Sequence, residues 1–134
     1  MRLNLDCVRD LLLCIEEQTG FKDKCSFIYM ESNNGIPDFQ ETLYKSYPYD
    51  ELFYHIQYCI KSNLIEEYST TDAWIMISDL TPEGHEFLNN IREDNVWNGV
   101  KSVASKVGAK SLEAVAQIAS NVITELIKAH FGIR

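Results

Sequence analysis

"YDELFYHIQYCIKSNLIEEY", residues 49–68, carries a helical hydrophobic repeat that stops at Asn63 and turns into a strand-like run. At 100° per residue, Leu52, Phe53, Ile56, Cys59 and Ile60 fall on one arc that Leu64 extends, while Asp50, Tyr54, Gln57, Tyr58 and Lys61 point away. The spacing predicts a helix over 49–62 with an apolar inner face and a polar, aromatic outer face. After Asn63, "LIEEYSTTDAWIMIS" holds two runs suited to strands, 64–68 and 73–78, around a polar Ser69–Asp72 connection, which predicts a hairpin. A helix handed on in this way is how helix-turn-helix proteins present a reading helix. The stretch therefore asks whether its outer face reads DNA.

Upstream, "DFQETLYKSYP" opens on Asp38 with Glu41 three residues later, as in a capping box, and Pro48 ends it, so a short helix is expected near 39–46. "CSFIYME" is rich in aromatic and β-branched residues and precedes the turn-forming "SNNGIPD", which predicts a strand near 25–31. "LNLDCVRDLLLCIEEQTG" offers Asn4 as an N-cap, Asp6 in the first turn and Gly20 as a stop, for a first helix near 5–18. On that helix Cys7, Val8, Leu11, Leu12, Cys14 and Ile15 share the inner half, and Arg9, Asp10, Glu16 and Glu17 the outer. Helix, strand, helix, helix, hairpin is the order of a winged helix-turn-helix core, an α+β and mainly helical class.

Downstream, Thr81 as N-cap and Pro82 at the first helical position begin a helix over 82–93 whose core residues are Phe87, Leu88 and Ile91. Val96, Val100, Val103 and Val107 then describe an amphipathic helix ending at Gly108, with Trp97 beside them as an anchor. A last helix follows Ser111, and its apolar sector, which includes Leu112, Val115, Ala119, Val122 and Leu126, covers about half its circumference. Two readings of that width stand side by side: part of the sector meets a second copy in a homodimer, or it folds back over its own domain. The expected organisation is a winged-helix domain over 1–93 and a two-helix C-terminal tail over 94–134.

With 134 residues and 46% hydrophobic content the chain can bury a real core. No run approaches the 18 to 20 or so apolar residues that cross a bilayer, and Asn4, Asp6 and Arg9 interrupt any signal-like start, so a soluble, cytoplasmic protein without membrane association is expected. The four cysteines, at 7, 14, 25 and 59, form no CxxC pair and are read as reduced, buried thiols. The net charge of −8 is uneven: 7 Lys/Arg against 18 Asp/Glu up to residue 97, then 5 against 2. Phosphate binding depends on cations that displace counterions, so the acidic front weighs against nucleic acid.

Few residues suggest chemistry. His85-Glu86 begins like a zinc-protease motif, but Asn89 stands where the second histidine is required. His55 and Cys59 lie one helical turn apart, yet core packing of Cys59 beside a half-exposed His55 explains them better than a zinc site short of two ligands. With no glycine-rich phosphate loop, no GxSxG elbow and no clustered carboxylates, neither an enzyme nor a cofactor or metal is expected.

"LNLDCVRDLLLCIE", "YHIQYCIKSNLIEE", "LTPEGHEFLNNIRED" and "GAKSLEAVAQIA" resemble a family of small, functionally uncharacterised proteins found in phages, prophages and bacterial genomes. The resemblance covers most of the chain. It implies a winged-helix core, a helical tail and an origin in a mobile element, with no catalytic residues to carry over. This chain departs from it with Ser62-Asn63, where a small residue and glycine are usual.

Two functions remain. As a DNA reader, the chain would use Gln57 on adenine, Lys61 and Tyr54 on phosphate and Tyr58 on either, with Lys101, Lys106 and Lys110 of the tail assisting. Against this, the helix opens on Asp50 and Glu51, and the wing tip Ser69–Asp72 has no Lys or Arg. As a protein-binding module, the favoured reading, it would present Tyr54 and Tyr58, helped by Tyr47 and Tyr49, to a host or phage protein, such as a host regulator or defence protein.

Overall fold

The computed structural model describes residues 1–28 and 38–132. The elements run α1 (Leu5–Gln18), β1 (Cys25–Ile28), α2 (Asp38–Ser46), α3 (Tyr49–Lys61), β2 (Ile65–Thr70), β3 (Trp74–Leu80), α4 (Pro82–Ile91), α5 (Asp94–Val107) and α6 (Leu112–Phe131). This is a mainly helical α+β chain with one three-stranded antiparallel sheet in the order β1-β3-β2. Two compact units divide it, Met1–Gly84 and His85–Arg134, so the division falls inside α4 rather than at residue 93. The expected turn over 32–37 and the end of the strand expected to reach residue 31 lie outside the described residues.

In the first unit, α1 begins where Asn4 Oδ1 accepts from the backbone N–H groups of Asp6 and Cys7 at 3.1 and 3.3 Å. Its buried face is Cys7, Val8, Leu11, Leu12 and Ile15, while Cys14, expected in the core, is only half-buried. Leu52, Ile56 and Cys59 of α3, Cys25 and Phe27 of β1, Leu43 of α2, Leu64, Ile65 of β2 and Ile75, Ile77 and Leu80 of β3 join that face in the core. Phe53 and Ile60 are half-buried instead, because they sit at the flanks of the apolar arc.

β1 is a short edge strand, and α2 closes its open side. Cys25 and Phe27 are buried, and the register sets Ser26 opposite Met76 and Ile28 opposite Trp74. Ile28 N–H donates to the Tyr44 hydroxyl at 3.1 Å, and that hydroxyl donates to the Ile28 carbonyl at 3.2 Å. One helical turn earlier, Gln40 Nε2 donates to the Ser26 carbonyl at 2.5 Å. The i, i+4 spacing puts both side chains on one face of α2 and satisfies backbone groups that an edge strand leaves open.

β2 is the other edge. It is irregular between Glu66 and Ser69, and Glu66 lies directly opposite Asp79. The hairpin turn is tighter than expected: Ser69 and Thr70 belong to β2, and Thr71 N–H donates to the Trp74 carbonyl at 2.8 Å. Thr71 Oγ1 also accepts from the backbone of Ala73 and Trp74, the bonding by which a hydroxyl residue stabilises a turn.

α3 ends on a left-handed residue that is not glycine. Asn63 has φ 59°, Leu64 N–H reaches the Cys59 carbonyl at 3.0 Å and Asn63 N–H the Ile60 carbonyl at 3.0 Å, a Schellman closure. The turn is therefore tight despite the missing glycine. Thr81 then seals it: its hydroxyl donates to the Asn63 carbonyl at 2.6 Å and accepts from Gly84 N–H at 2.9 Å as the N-cap of α4. A Cβ on Gly84 would lie 1.9 Å from the Leu64 carbonyl oxygen, so only glycine allows this approach.

In the second unit α5 and α6 form a helical hairpin. Gly108, with φ 67°, closes α5, and Ser111 Oγ caps α6 by accepting from Ala114 N–H at 3.1 Å. Phe87, Leu88 and Ile91 of α4 are buried as expected. On α5 the buried face is Trp97, Val100 and Ala104, whereas Val103 and Val107 are exposed. The valine stripe therefore holds in its first half, where Val96 is half-buried and Val100 buried beside the expected anchor Trp97, and fails in its second. Among the described residues no helix is long and apolar enough to cross a membrane.

Candidate partner-binding groove

The outer face of α3 and the β2–β3 hairpin enclose a groove of about 380 Å³ within the first unit. Asp50, Phe53, Tyr54 and Gln57 line it from α3, Thr70, Thr71, Asp72, Trp74 and Ile75 from the hairpin, and Met1 from the start of the chain. The helical side follows from spacing: residues 50, 54 and 57 recur at four and three and so share one face. The hairpin side follows from the turn at 71–73, which turns Asp72 outward and sets Trp74 at the start of β3.

Met1 reaches the groove because Asn4 is tied down on α3. Asn4 Nδ2 donates to Glu51 Oε1 at 2.8 Å, and Asn4 N–H donates to His55 Nε2 at 2.7 Å. His55, expected to be half-exposed, is completely buried. Since Nε2 accepts from a backbone N–H, the ring proton sits on Nδ1 and is donated to the Glu51 carbonyl 2.7 Å away. Both ring nitrogens are spent on structure. Cys59 is likewise buried, and burial together with the nearby Cys7 pushes its thiol well up.

Of the outward residues expected to form the site, Asp50, Tyr54 and Gln57 line the groove and Tyr58 and Lys61 do not. Tyr58 stays close, its ring 6.1 Å from that of Tyr54. Tyr47 and Tyr49, expected to join the same aromatic surface, are used elsewhere. Tyr47 donates its hydroxyl to Asp10 Oδ2 at 2.6 Å, and burial followed by that carboxylate pushes its phenol up. The Tyr49 ring packs 5.2 Å from Tyr44. The sequence reading missed Phe53, Trp74 and Asp72 as groove residues. Phe53 was assigned to the core by periodicity, and only the hairpin's fold-back brings Trp74 and Asp72 to α3.

Among the described residues no Lys or Arg lines the groove, whose charged side chains are Asp50 and Asp72. Its character is aromatic and hydroxylic with a carboxylate on each wall. On β1, Cys25 is a distinct feature: its thiol is held below the usual range by the hydrogen bond from Cys14 and then by Gln40 Nε2 at 3.5 Å, although Cys25 is fully buried. Among the described residues no group of three or more His, Cys, Asp or Glu side chains is arranged to hold a metal ion.

The helical face expected to mediate dimerisation is divided by the structure. Leu112, Val115 and Ala119 are buried within the chain, because the first half of α6 supplies core, so they are not available to a second copy. Val122 and Leu126 remain accessible, together with Ile127 and Phe131, and Asn121, Val122, Glu125 and Leu126 line a shallow apolar cleft.

These features define a small α+β protein with a grooved, acidic first unit and a helical second unit. The chain belongs to the DUF2513 family of hypothetical proteins, whose pattern matches residues 2–110. It is 30% identical over 131 residues to an uncharacterized protein of Haemophilus influenzae, a match spanning 95% of this chain and 99% of that protein. No solved structure matches the chain.

Proposed function

We propose that the first unit is a winged-helix module of phage or prophage type that acts by binding a host or phage protein through the groove between α3 and the hairpin, and not by catalysis. The observation that carries this reading is the lining of the groove: aromatic rings and hydroxyls with carboxylates and, among the described residues, no Lys or Arg. Tyrosine and tryptophan bury large area with few rotatable bonds and keep a hydrogen-bonding handle, which suits a protein interface. Duplex DNA fits the same surface poorly, since a wing and reading helix on phosphate require Lys or Arg. The accessible end of α6, centred on Val122 and Leu126, is proposed as a homodimer contact.

Two measurements test it. Capture of host or phage proteins on the immobilised chain is expected to lose at least one specific partner in Tyr54→Ala/Tyr58→Ala; an unchanged set removes the surface proposed. A gel shift on random duplexes is expected to show no binding at about 0.15 M salt, and affinity that falls steeply with added salt would transfer the groove to nucleic acid.

A further inference from the structure

Resting on the protein-binding reading, we propose that the groove takes an arginine side chain of its partner, flanked by apolar residues, as the anchoring contact. The occupant is set by charge complementarity and by the shape of the walls. Asp50 stands at the start of α3 and Asp72 at the hairpin turn, so each wall of the groove brings one carboxylate to a bound cation's surroundings. Phe53, Tyr54 and Trp74 line it as aromatic residues, and Met1 and Ile75 as apolar ones. A guanidinium is planar and weakly hydrated, stacks on aromatic faces and forks onto carboxylates, while its methylene stem covers apolar surface. The volume, about 380 Å³, is at the small end of ligand sites and suits a few side chains, not a long segment.

The field of the unit points the same way. Residues 1–84 hold 6 Lys/Arg against 15 Asp/Glu, a balance of −9. An acidic body draws a basic partner toward the groove and repels phosphate, and that steering weakens as salt is added.

The test uses the full chain, labelled with 15N, and a panel of acetylated, amidated heptapeptides, each with one central arginine among apolar and hydroxyl residues. Every peptide has a counterpart in which citrulline replaces arginine, which keeps the shape and removes the charge. At least one arginine peptide is expected to shift the Trp74 indole and the Gln57 and Thr71 amides saturably. Its citrulline counterpart should bind about fivefold more weakly, as exposed ion pairs and a cation–π contact together allow. In Asp50→Asn/Asp72→Asn, whose two sites are exposed and whose fold a dispersed amide spectrum checks, the preference should fall to about one. Tyr54→Leu should weaken the arginine peptide while leaving the fold intact. Equal affinity for arginine and citrulline, shifts away from the groove, or no saturable shift with any peptide would overturn the proposal. If that happens while a captured partner still depends on Tyr54 and Tyr58, only the arginine anchor falls and the interface reading stands.

Discussion

Asn63 and Gly84 show how single residues set the geometry behind the groove. Asn63 adopts φ 59°, a conformation that costs a residue with a Cβ about 1 kcal/mol relative to glycine. Asn63→Gly is therefore expected to raise stability by about 0.5–1 kcal/mol, read as a higher urea midpoint at unchanged slope. Gly84 presents the opposite case. Its would-be Cβ meets backbone, not a movable side chain, at 1.9 Å from the Leu64 oxygen. Gly84→Ala is expected to lose about 3 kcal/mol or more, and a loss below about 1 kcal/mol in the same denaturation experiment would show that α4 shifts freely there. His55 belongs to the same scale: as a buried clamp between Asn4 and Glu51 it positions the start of the chain.

Among the elements, α2 has the clearest task, which is to protect the edge of β1. The Tyr44 hydroxyl both accepts from and donates to Ile28, and burial pushes its phenol from the ordinary 10.0 up to about 12. A raised folded-state pKa means that the contribution is complete below pH 10 and is lost as pH climbs through about 12. Tyr44→Phe should cost about 1–2 kcal/mol at neutral pH, since Ile28 loses a partner for both backbone groups. The variant's stability should also fall less than the parent's between pH 10 and 12, measured by urea melts at each pH. A parallel alkaline decline in both proteins would remove Tyr44 from that role.

For the molecule as a whole, charge is divided unevenly between the two units. The first unit carries −9, whereas residues 85–134 hold 6 Lys/Arg against 5 Asp/Glu and are nearly neutral. Two copies meeting through their acidic units would repel one another, but the end of α6 offers Leu126 and Ile127, each half-exposed, and Phe131, 69% exposed, without that penalty. The homodimer proposed above is expected to sediment as a dimer at about 100 µM, roughly the range in which modest apolar interfaces associate. Leu126→Glu should return it to monomer with its melting temperature little changed. A parent chain that is already monomeric there would remove the contact.

The order of helices and strands, the caps at Asn4, Thr81 and Ser111, and the stop at Gly108 could be read from the chain alone, because periodicity and capping are local properties. So could three of the ten residues that line the groove, since Asp50, Tyr54 and Gln57 face outward by helical spacing alone. The burial of His55, the diversion of Tyr47 and Tyr49, the exposure of Val103 and Val107 and the arrival of Trp74 and Asp72 beside α3 were decided only in the tertiary structure. Each of these depends on which residue, distant in sequence, comes to lie opposite. A period of 3.6 or 2 says which way a side chain points but not what it will meet.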